Sequence, residues 1–503
     1  MIRLAACLLL LLLTLPTNAR AQTDQVTLTT RDGALSVQGQ LLSFDGEFFR
    51  IETAFGPVTL DGGNVTCTGA ACPDPDEMVA RIAITGPPVL LRELVAPLMS
   101  GFAQQQGFVF EDVFLSDDHF RWILKDRRSA RVIAEIDAFA PSLGPTSGSP
   151  IELKVSRQEA RAPWRSDVIA LDALVAIVAP DNPTASMDTD LLAALLSGGK
   201  LGAAGDEFAP DKIHLPDARL GLHSGLSRLW ATPPQMADTA HQHEDLDNLA
   251  DQVASDHGAL GLTLHSRIGN AVPLILSGPC GRGMPAMRAT IKAEDYPLTE
   301  LVFLHRLGAR QPHVIRAFVA YARSSEAQPI VKRAGFIDQA IGDIAFAEQG
   351  ERIAHSVLAA GEDEQALSEI RRMLRALATG ARLTLTFRFR DGSSELDVQS
   401  RSNIRRLADA IDEGAFNGKE LLFVGFSDGF GERDANLRLS LRRARSVHAA
   451  VTRTAGDAPV NYAIDAFGEA MPMACDEVSW GRRVNRRVEV WVGPDRTENA
   501  VQR

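Results

Sequence analysis

Between residues 26 and 66 apolar and polar positions alternate in short runs: "VTLTT", "LSVQGQLLSF", "FFRIETA" and "PVTL". A period of two marks strands with one buried face. Asp32-Gly33, Asp45-Gly46 and Asp61-Gly62 punctuate the runs. Asp-Gly tolerates the positive φ of tight hairpins. The pattern predicts a small antiparallel β module over 22–77, an adaptor or cap without chemistry of its own.

From about 78 to 345 the pattern changes. Short apolar runs ("RIAIT", "RVIAEI", "IELKVS", "LVAIVAP", "KIHLP", "ALGLTLH") alternate with helical spacing in "LLRELVAPLMSGFAQQQG", "DTDLLAALLSG" and "HVIRAFVAYARSSEAQPIVKRAG". Strand–helix alternation predicts an α/β domain with a mainly parallel sheet. Such sheets bind ligands at strand ends and helix N-termini. Leu367, Ile370, Leu374 and Leu377 then recur at near-helical spacing, which predicts a helical linker over 346–381. A third unit follows over 382–493: strand "RLTLTFRF", helix "VQSRSNIRRLADAID", strand "ELLFVGFSD", helix "DANLRLSLRRARSVHAAVTRT", then strands "NYAIDAFGE" and "NRRVEVWVG". This reads as an α+β sandwich with its helices on one sheet face, and 494–503 as a tail. The fold class is therefore multidomain, α/β and α+β, with more than one core expected for 503 residues.

Charge and cysteines narrow the setting. A net charge of -12 gives no general reason to bind nucleic acid. Arg3, the apolar "LAACLLLLLLTLP" and "ARA" before Gln22 form the three parts of a secretory signal, with cleavage expected after Ala21. Cys7 precedes the apolar core, so a lipid anchor there is not expected. An oxidising compartment favours pairing of the remaining cysteines. Cys67 and Cys72 lie close together in "CTGAAC" and are expected to bridge, whereas Cys280 and Cys475 could pair or stay thiols.

Candidate chemistry begins at residues 424–451, "VGFSDGFGERDANLRLSLRRARSVHAAV", where Asp428 ends a strand and Arg438, Arg442, Arg443 and Arg445 follow on a helix. On spacing alone, an ordinary ion pair explains Asp428 and Arg443. Gly425-Phe426-Ser427-Asp428, Asn436, Leu439-Ser440, Arg443-Ala444 and Val447, then "FGEAMP" and "NRRVEVWV", together resemble the OmpA-like peptidoglycan-binding domain over roughly 382–493. That family's strand usually ends Gly-His-Thr-Asp, so the histidine is replaced here. The resemblance implies that Asp428 and Arg443, with Ser427 and Asn436, bind diaminopimelate of peptidoglycan. Its ammonium and carboxylate share one carbon and need one fixed anion and one fixed cation. Arg443 can hold a carboxylate bidentately and Asp428 can accept from the ammonium. Replacing either should barely affect folding if both side chains face solvent, and the other three arginines are expected to form a solvated face.

In the middle unit, "VIALDALVAIVAPDNPTASMDTDLLAALLSG", "HSGLSR", "GALGLTLHSRIGNAVPLIL", "EDYPLTELVFLH" and "EAQPIVKRAGF" resemble, in order, the phosphate-binding class of periplasmic solute-binding proteins. The resemblance implies two α/β lobes with an inorganic anion, phosphate or similar, between them. Its loops map to Thr85 and Gly86, to Ser156 and Arg157, and to Ser224, Gly225 and Ser227. The first loop carries Pro87 and Pro88, which lack N–H donors, and Leu226 replaces a hydroxyl in the third.

"HQHEDLD" (His241, His243, Glu244, Asp245, Asp247) matches no named metal spacing, and "GPTSGSP" around Ser147 lacks the strand–turn–helix setting of a nucleophile. No catalytic residue, metal or cofactor is expected. The chain reads as a periplasmic protein associated with peptidoglycan and the outer membrane, with peptidoglycan and an anion as ligands. An ABC transporter or an outer-membrane protein is a candidate partner. The alternative is an envelope scaffold whose solute-binding fold has lost its ligand and recognises a protein.

Overall fold

A computed structural model describes residues 25–30, 32–44, 48–62, 64–73, 79–143, 151–198, 210–220, 222–230, 232–307, 311–390 and 395–493. The expected signal, Cys7, Ser147 and the tail lie outside these residues. Among them, no helix is long and apolar enough to cross a membrane.

The N-terminal module is a five-stranded antiparallel sheet, with Gln25–Thr30 between Ser36–Phe44 and Val65–Thr68. Alternation puts Val26, Leu28, Phe49, Ile51 and Val65 on one buried face. At the first turn Gly33 takes φ +71 and Asp32 accepts hydrogen bonds from Thr30 Oγ1 and Ala34 N. Cys67 and Cys72 are disulfide-bonded.

The main sheet of the middle region is continuous and mixed rather than mainly parallel, and a small three-stranded sheet stands apart from it. Ala80–Thr85 pairs in parallel with Val132–Phe139 and Ile151–Ser156, and Lys212–Pro216 with His241–His243 and Ala259–Leu264. These two parallel sets are joined by two long antiparallel strands, Trp164–Val178 and Thr299–Leu307. The run "LVAIVAP" thus starts within a 15-residue strand, which ends at Val178. Its nearly continuous burial, Val168 to Val178, reflects helices and loops on both faces. A hairpin, Phe108–Ser116 with His119–Asp126, extends the first set. The chain is helical from Pro88 to Gln106, with a π-type turn over Leu91–Val95, and Gly107 (φ +75) ends it. Leu91, Leu94, Leu98, Met99 and Phe102 of that helix fill the first-lobe core.

The C-terminal sheet runs Asp343–Ala345, Ala381–Arg388, Arg487–Val492, Glu420–Phe426, Asn461–Gly468. One face, with Leu383, Leu385, Leu421, Phe423, Val488 and Val490, is covered by helices Val398–Asp412 and Arg433–Thr454. The expectation of helices on one face only is corrected. Leu422, Val424, Phe426 and Trp491 point to the opposite face, where Ile370, Met373 and Leu377 of helix Glu364–Leu377 pack on them. The segment expected as a linker is therefore helical but seated on this sheet. The physical reason is that Leu422, Val424, Phe426 and Trp491 make part of the second face apolar, and that part needs a covering layer.

Candidate functional site

Glycine brings the two halves of the C-terminal site together. A Cβ on Gly425 would lie 2.1 Å from the Ser440 carbonyl oxygen, so only glycine lets helix Arg433–Thr454 cross the strand this closely. Ser427 N donates to Gly468 O at 2.8 Å and fixes the strand end. Asp428 follows, 9% exposed, and accepts from Arg486 Nη1 at 2.8 Å. Its hydrogen-bond partner is thus Arg486, not Arg443. Arg443 stands beside this pair with its guanidinium over the Phe389 ring, 5.2 Å from the centroid. Its Nη1 is buried and, among the described residues, has no hydrogen-bond partner; the same holds for Ser427 Oγ. Burial, then the charge of Arg486, pulls the Arg443 pKa down, opposed by Asp428. An unpaired, partly desolvated guanidinium next to a carboxylate already shared with a second arginine can take an incoming carboxylate.

The other expected residues fall differently. Asn436 donates from Nδ2 to Phe430 O and Glu469 Oε2, both at 3.3 Å, and so ties the helix start to "FGEAMP". Gly429 N donates to Asp476 Oδ2, and Asn485 Nδ2 to Asp476 Oδ1, both at 2.9 Å, which anchors the loop after Asp428. Arg438, Arg442 and Arg445 are exposed, as the spacing predicts. The condition of a solvent-facing carboxylate is not met at Asp428: it is buried, with Arg486 compensating its charge. Arg486 was missed. Its signal is the doublet Arg486-Arg487. Arg487 enters the strand and turns inward to Glu489 (Nε to Oε1, 2.7 Å), which leaves Arg486 before the strand to reach Asp428.

The anion loops of the middle region do not converge on one cavity. Ser156 and Arg157, with Pro87 and Pro88, border a cleft of ≈ 520 Å³. Gly225 and Ser227 border a second cavity of ≈ 590 Å³, and Arg157 reaches both. Neither wall includes Thr85 or Gly86; Gly86 N donates to Phe139 O. The Ser224 side chain lies outside the described part. Ser156 Oγ is already used, 2.8 Å from both Gln158 O and His305 Nε2. Arg157 Nη2 donates to Asp172 Oδ2 at 3.1 Å, while its Nη1 is buried and has no hydrogen-bond partner among the described residues. Leu226, fully buried, belongs to the second-lobe core, which explains an apolar residue there. Glu300 lies against Gly225, where a Cβ would meet its Oε1 at 2.2 Å. Burial raises the Glu300 carboxyl pKa. Across the cleft, Arg267 pairs with Glu93 of the other lobe.

His241 and His243 lie beside His214 on the neighbouring strand, with His214 Nδ1 2.9 Å from His243 Nε2. Burial, then the other two imidazoles, lowers the His214 pKa to about 4. Asp245 caps the following helix through Asp247 N and Asn248 N. Among the described residues, the one group with metal-like spacing is Cys280, Cys475 and Glu477. Those cysteines are joined as a disulfide, which offers no thiolate.

Residues 388–486 match the OmpA family. Within curated relatives, 104 residues are 34% identical to the outer-membrane lipoprotein YfiB of Pseudomonas aeruginosa, covering 21% of this chain and 60% of that protein. The chain thus spans less than two thirds of that relative. The peptidoglycan-associated lipoprotein from Burkholderia pseudomallei is 22% identical, covering 21% of this chain and 88% of its own, with a TM-score of 0.19. An ABC-type phosphate transport receptor from Vibrio cholerae is 14% identical, covering 51% of this chain and 99% of its own, with a TM-score of 0.37.

The OmpA domain does not hang free. Arg382 and Arg388, alternating with apolar residues on its first long strand, are 1% and 6% exposed. Arg382 makes two hydrogen bonds to Asp295 of the middle region, and Arg388 donates to Ala293 O at 3.1 Å. Burial alone would raise the Asp295 carboxyl; the charge and hydrogen bonds of Arg382, then Arg388, outweigh it and hold it below its usual value. Glu489, fully buried, accepts from Arg352, Arg487 and Trp491 Nε1. The Cys280–Cys475 disulfide crosses the same contact. A polar strand face that alternation marks for solvent is instead closed by another fold.

Proposed function

We propose that this chain is an envelope protein whose OmpA domain holds peptidoglycan non-covalently, with the diaminopimelate carboxylate on Arg443 and its ammonium on Asp428. The observation that carries this reading is the buried, partnerless Nη1 of Arg443 beside the Asp428–Arg486 pair. An unsatisfied buried donor costs about 1–3 kcal/mol, and a ligand oxygen removes that cost. The hydrogen bond from Arg486 Nη1 holds the Asp428 carboxylate in orientation. Ser427 Oγ is a second free group at the strand end. The matched family and the curated relatives support an envelope setting for a binding protein rather than an enzyme. The test is co-sedimentation of the full mature chain with purified peptidoglycan sacculi. Arg443→Ala should lose binding while keeping its circular dichroism spectrum. Wild-type binding by a folded Arg443→Ala protein contradicts the reading.

A second reading concerns the middle region: it takes an anion, supported by Arg157 Nη1, buried and partnerless at the junction of two cavities. Inorganic phosphate is the simplest such ligand. The scaffold alternative draws support from Ser156, whose hydroxyl is already satisfied. Calorimetric titration of ligand-free protein with phosphate, sulfate and arsenate separates the two.

A further inference from the structure

The cavity bordered by Gly225 and Ser227 belongs to neither fold alone. The middle region supplies Arg157, Arg228, Glu294, Tyr296, Glu300 and Phe303. The OmpA domain supplies Arg388, Phe389, Arg390, Trp480 and Arg483. The walls are held in register by the Arg382–Asp295 pair and the Cys280–Cys475 disulfide, so the space is a fixed feature of the docked molecule.

Its lining is poorly satisfied in a specific way. Arg157 Nη1, Arg388 Nε, Glu294 Oε1 and Glu300 Oε1 are all buried without a hydrogen-bond partner among the described residues, with Glu294 Oε1 in a longer ion pair to Arg388 Nη1 at 3.6 Å. Arg388 and Glu300 are 6% and 5% exposed. Buried polar atoms are nearly always partnered in folded proteins, so four such atoms around one cavity point to something that fills it. Glu294 also takes φ +54, a left-handed conformation that is uncommon outside glycine and concentrates at functional sites.

The charges select the occupant. Five arginines line the space. Burial, then the charge of Asp397, pushes the Glu294 carboxyl up to about 7, with Arg388 and Arg228 opposing and Asp295 adding. Burial also raises Glu300. A raised carboxyl repels an anion less than an ordinary one over part of the pH range, and the five arginines of the lining outnumber its four carboxyls. Of the remaining carboxylates, Glu159 faces Arg401 at 3.5 Å and Asp397 caps Ser400 N at 2.8 Å. The wall is therefore cationic, but Tyr296, Phe303, Phe389 and Trp480 add flat apolar surface. At ≈ 590 Å³ the cavity lies within the range that encloses small organic ligands, and far exceeds a single tetrahedral anion.

We propose that this inter-fold cavity binds a small organic oxyanion, in which a carboxylate or phosphate group is joined to a planar or apolar body, and that the OmpA domain supplies half of its site. The inference rests on the reading of the middle region as an anion binder and names the class of anion. Phe389 lines the cavity and also carries the Arg443 guanidinium, so one ring lies between this site and the peptidoglycan site.

The test uses the full mature chain and calorimetric titration with phenyl phosphate, benzoate and inorganic phosphate. Phenyl phosphate or benzoate should bind at least tenfold more tightly than inorganic phosphate, and which of the two is preferred separates a phosphoryl from a carboxylate ligand. Arg390→Glu should weaken that binding at least tenfold without changing the melting temperature. The Arg390 side chain is half exposed and its salt bridge is a surface one to Glu395 at 3.5 Å. Organic-anion binding that ignores Arg390→Glu overturns the inter-fold site. Tight phosphate binding lost in Arg157→Ala but kept in Arg390→Glu leaves the anion reading standing and overturns this inference alone. No heat with any of the three at millimolar concentration overturns both.

Discussion

The two candidate sites contain the same chemical types but use them differently. In the OmpA domain, Asp428 is paired by Arg486, and the arginine that the sequence singles out, Arg443, keeps a free buried nitrogen. In the middle region, Arg157 is bound to Asp172, and Asp172, fully buried, also accepts from Ser266 N, Ser266 Oγ and Ala173 N. Both arginines keep a buried nitrogen without a hydrogen-bond partner among the described residues, but Arg157 is also tied to a buried carboxylate that three further donors hold. Residue type at a position does not distinguish a ligand contact from an internal one. What distinguishes them is whether a third group has already satisfied the side chain.

The largest effect should separate the two sites by stability. Asp172→Ala leaves Arg157 buried without its carboxylate and should cost about 3–5 kcal/mol, read by urea denaturation of the full chain. Asp428→Ala removes a pair whose arginine is partly exposed, and should cost only about 1–2 kcal/mol in the same measurement. If the two variants lose equal stability, the contrast between structural and ligand-ready pairs is wrong.

Binding should show the reverse order. Arg443→Ala should lower peptidoglycan affinity by about 2–4 kcal/mol, some 30- to 1000-fold, with a change in folding stability below about 1 kcal/mol. Ser156→Ala should cost about 1 kcal/mol of stability through its bonds to Gln158 and His305, and leave phosphate titration heats near those of the wild type. A strong loss of phosphate binding in that variant would restore Ser156 as a ligand.

A pH series sharpens the cavity. The Glu294 carboxyl is raised in the folded protein, so its contribution to stability is full below about 4.5 and is lost as pH rises through about 7. Glu294→Gln should remove that fall, measured as the difference between variant and wild-type melting temperatures from pH 4.5 to 7.5. The smallest effects belong to Arg442→Ala and Arg445→Ala. Both side chains are exposed on the helix, and co-sedimentation with peptidoglycan should fall less than threefold, and only at low salt.

By itself the sequence determined the local units and their order. Period-two alternation with Asp-Gly turns marked the N-terminal module. The spacing of Leu367, Ile370, Leu374 and Leu377 marked a helix, and the pattern from Gly425 to "NRRVEVWV" marked the C-terminal fold together with Asp428 and Arg443. The proximity of Cys67 and Cys72 marked their disulfide. These features are local, and short-range geometry suffices to read them. Tertiary structure alone decided what each polar face meets. Arg382, Thr384, Thr386 and Arg388 alternate like a solvent-facing strand, yet Asp295, 87 residues away from Arg382, closes the face. Cys280 finds Cys475 across 195 residues. The linker expected at 346–381 covers a sheet because Leu422, Val424, Phe426 and Trp491 of two strands together make an apolar patch on its second face, invisible in either strand alone. The partner of Asp428, the division of the anion loops between two cavities and the inter-fold cavity share this cause. Each depends on contacts between segments far apart in the chain, and periodicity says which way a side chain points along its own element but not what awaits it there.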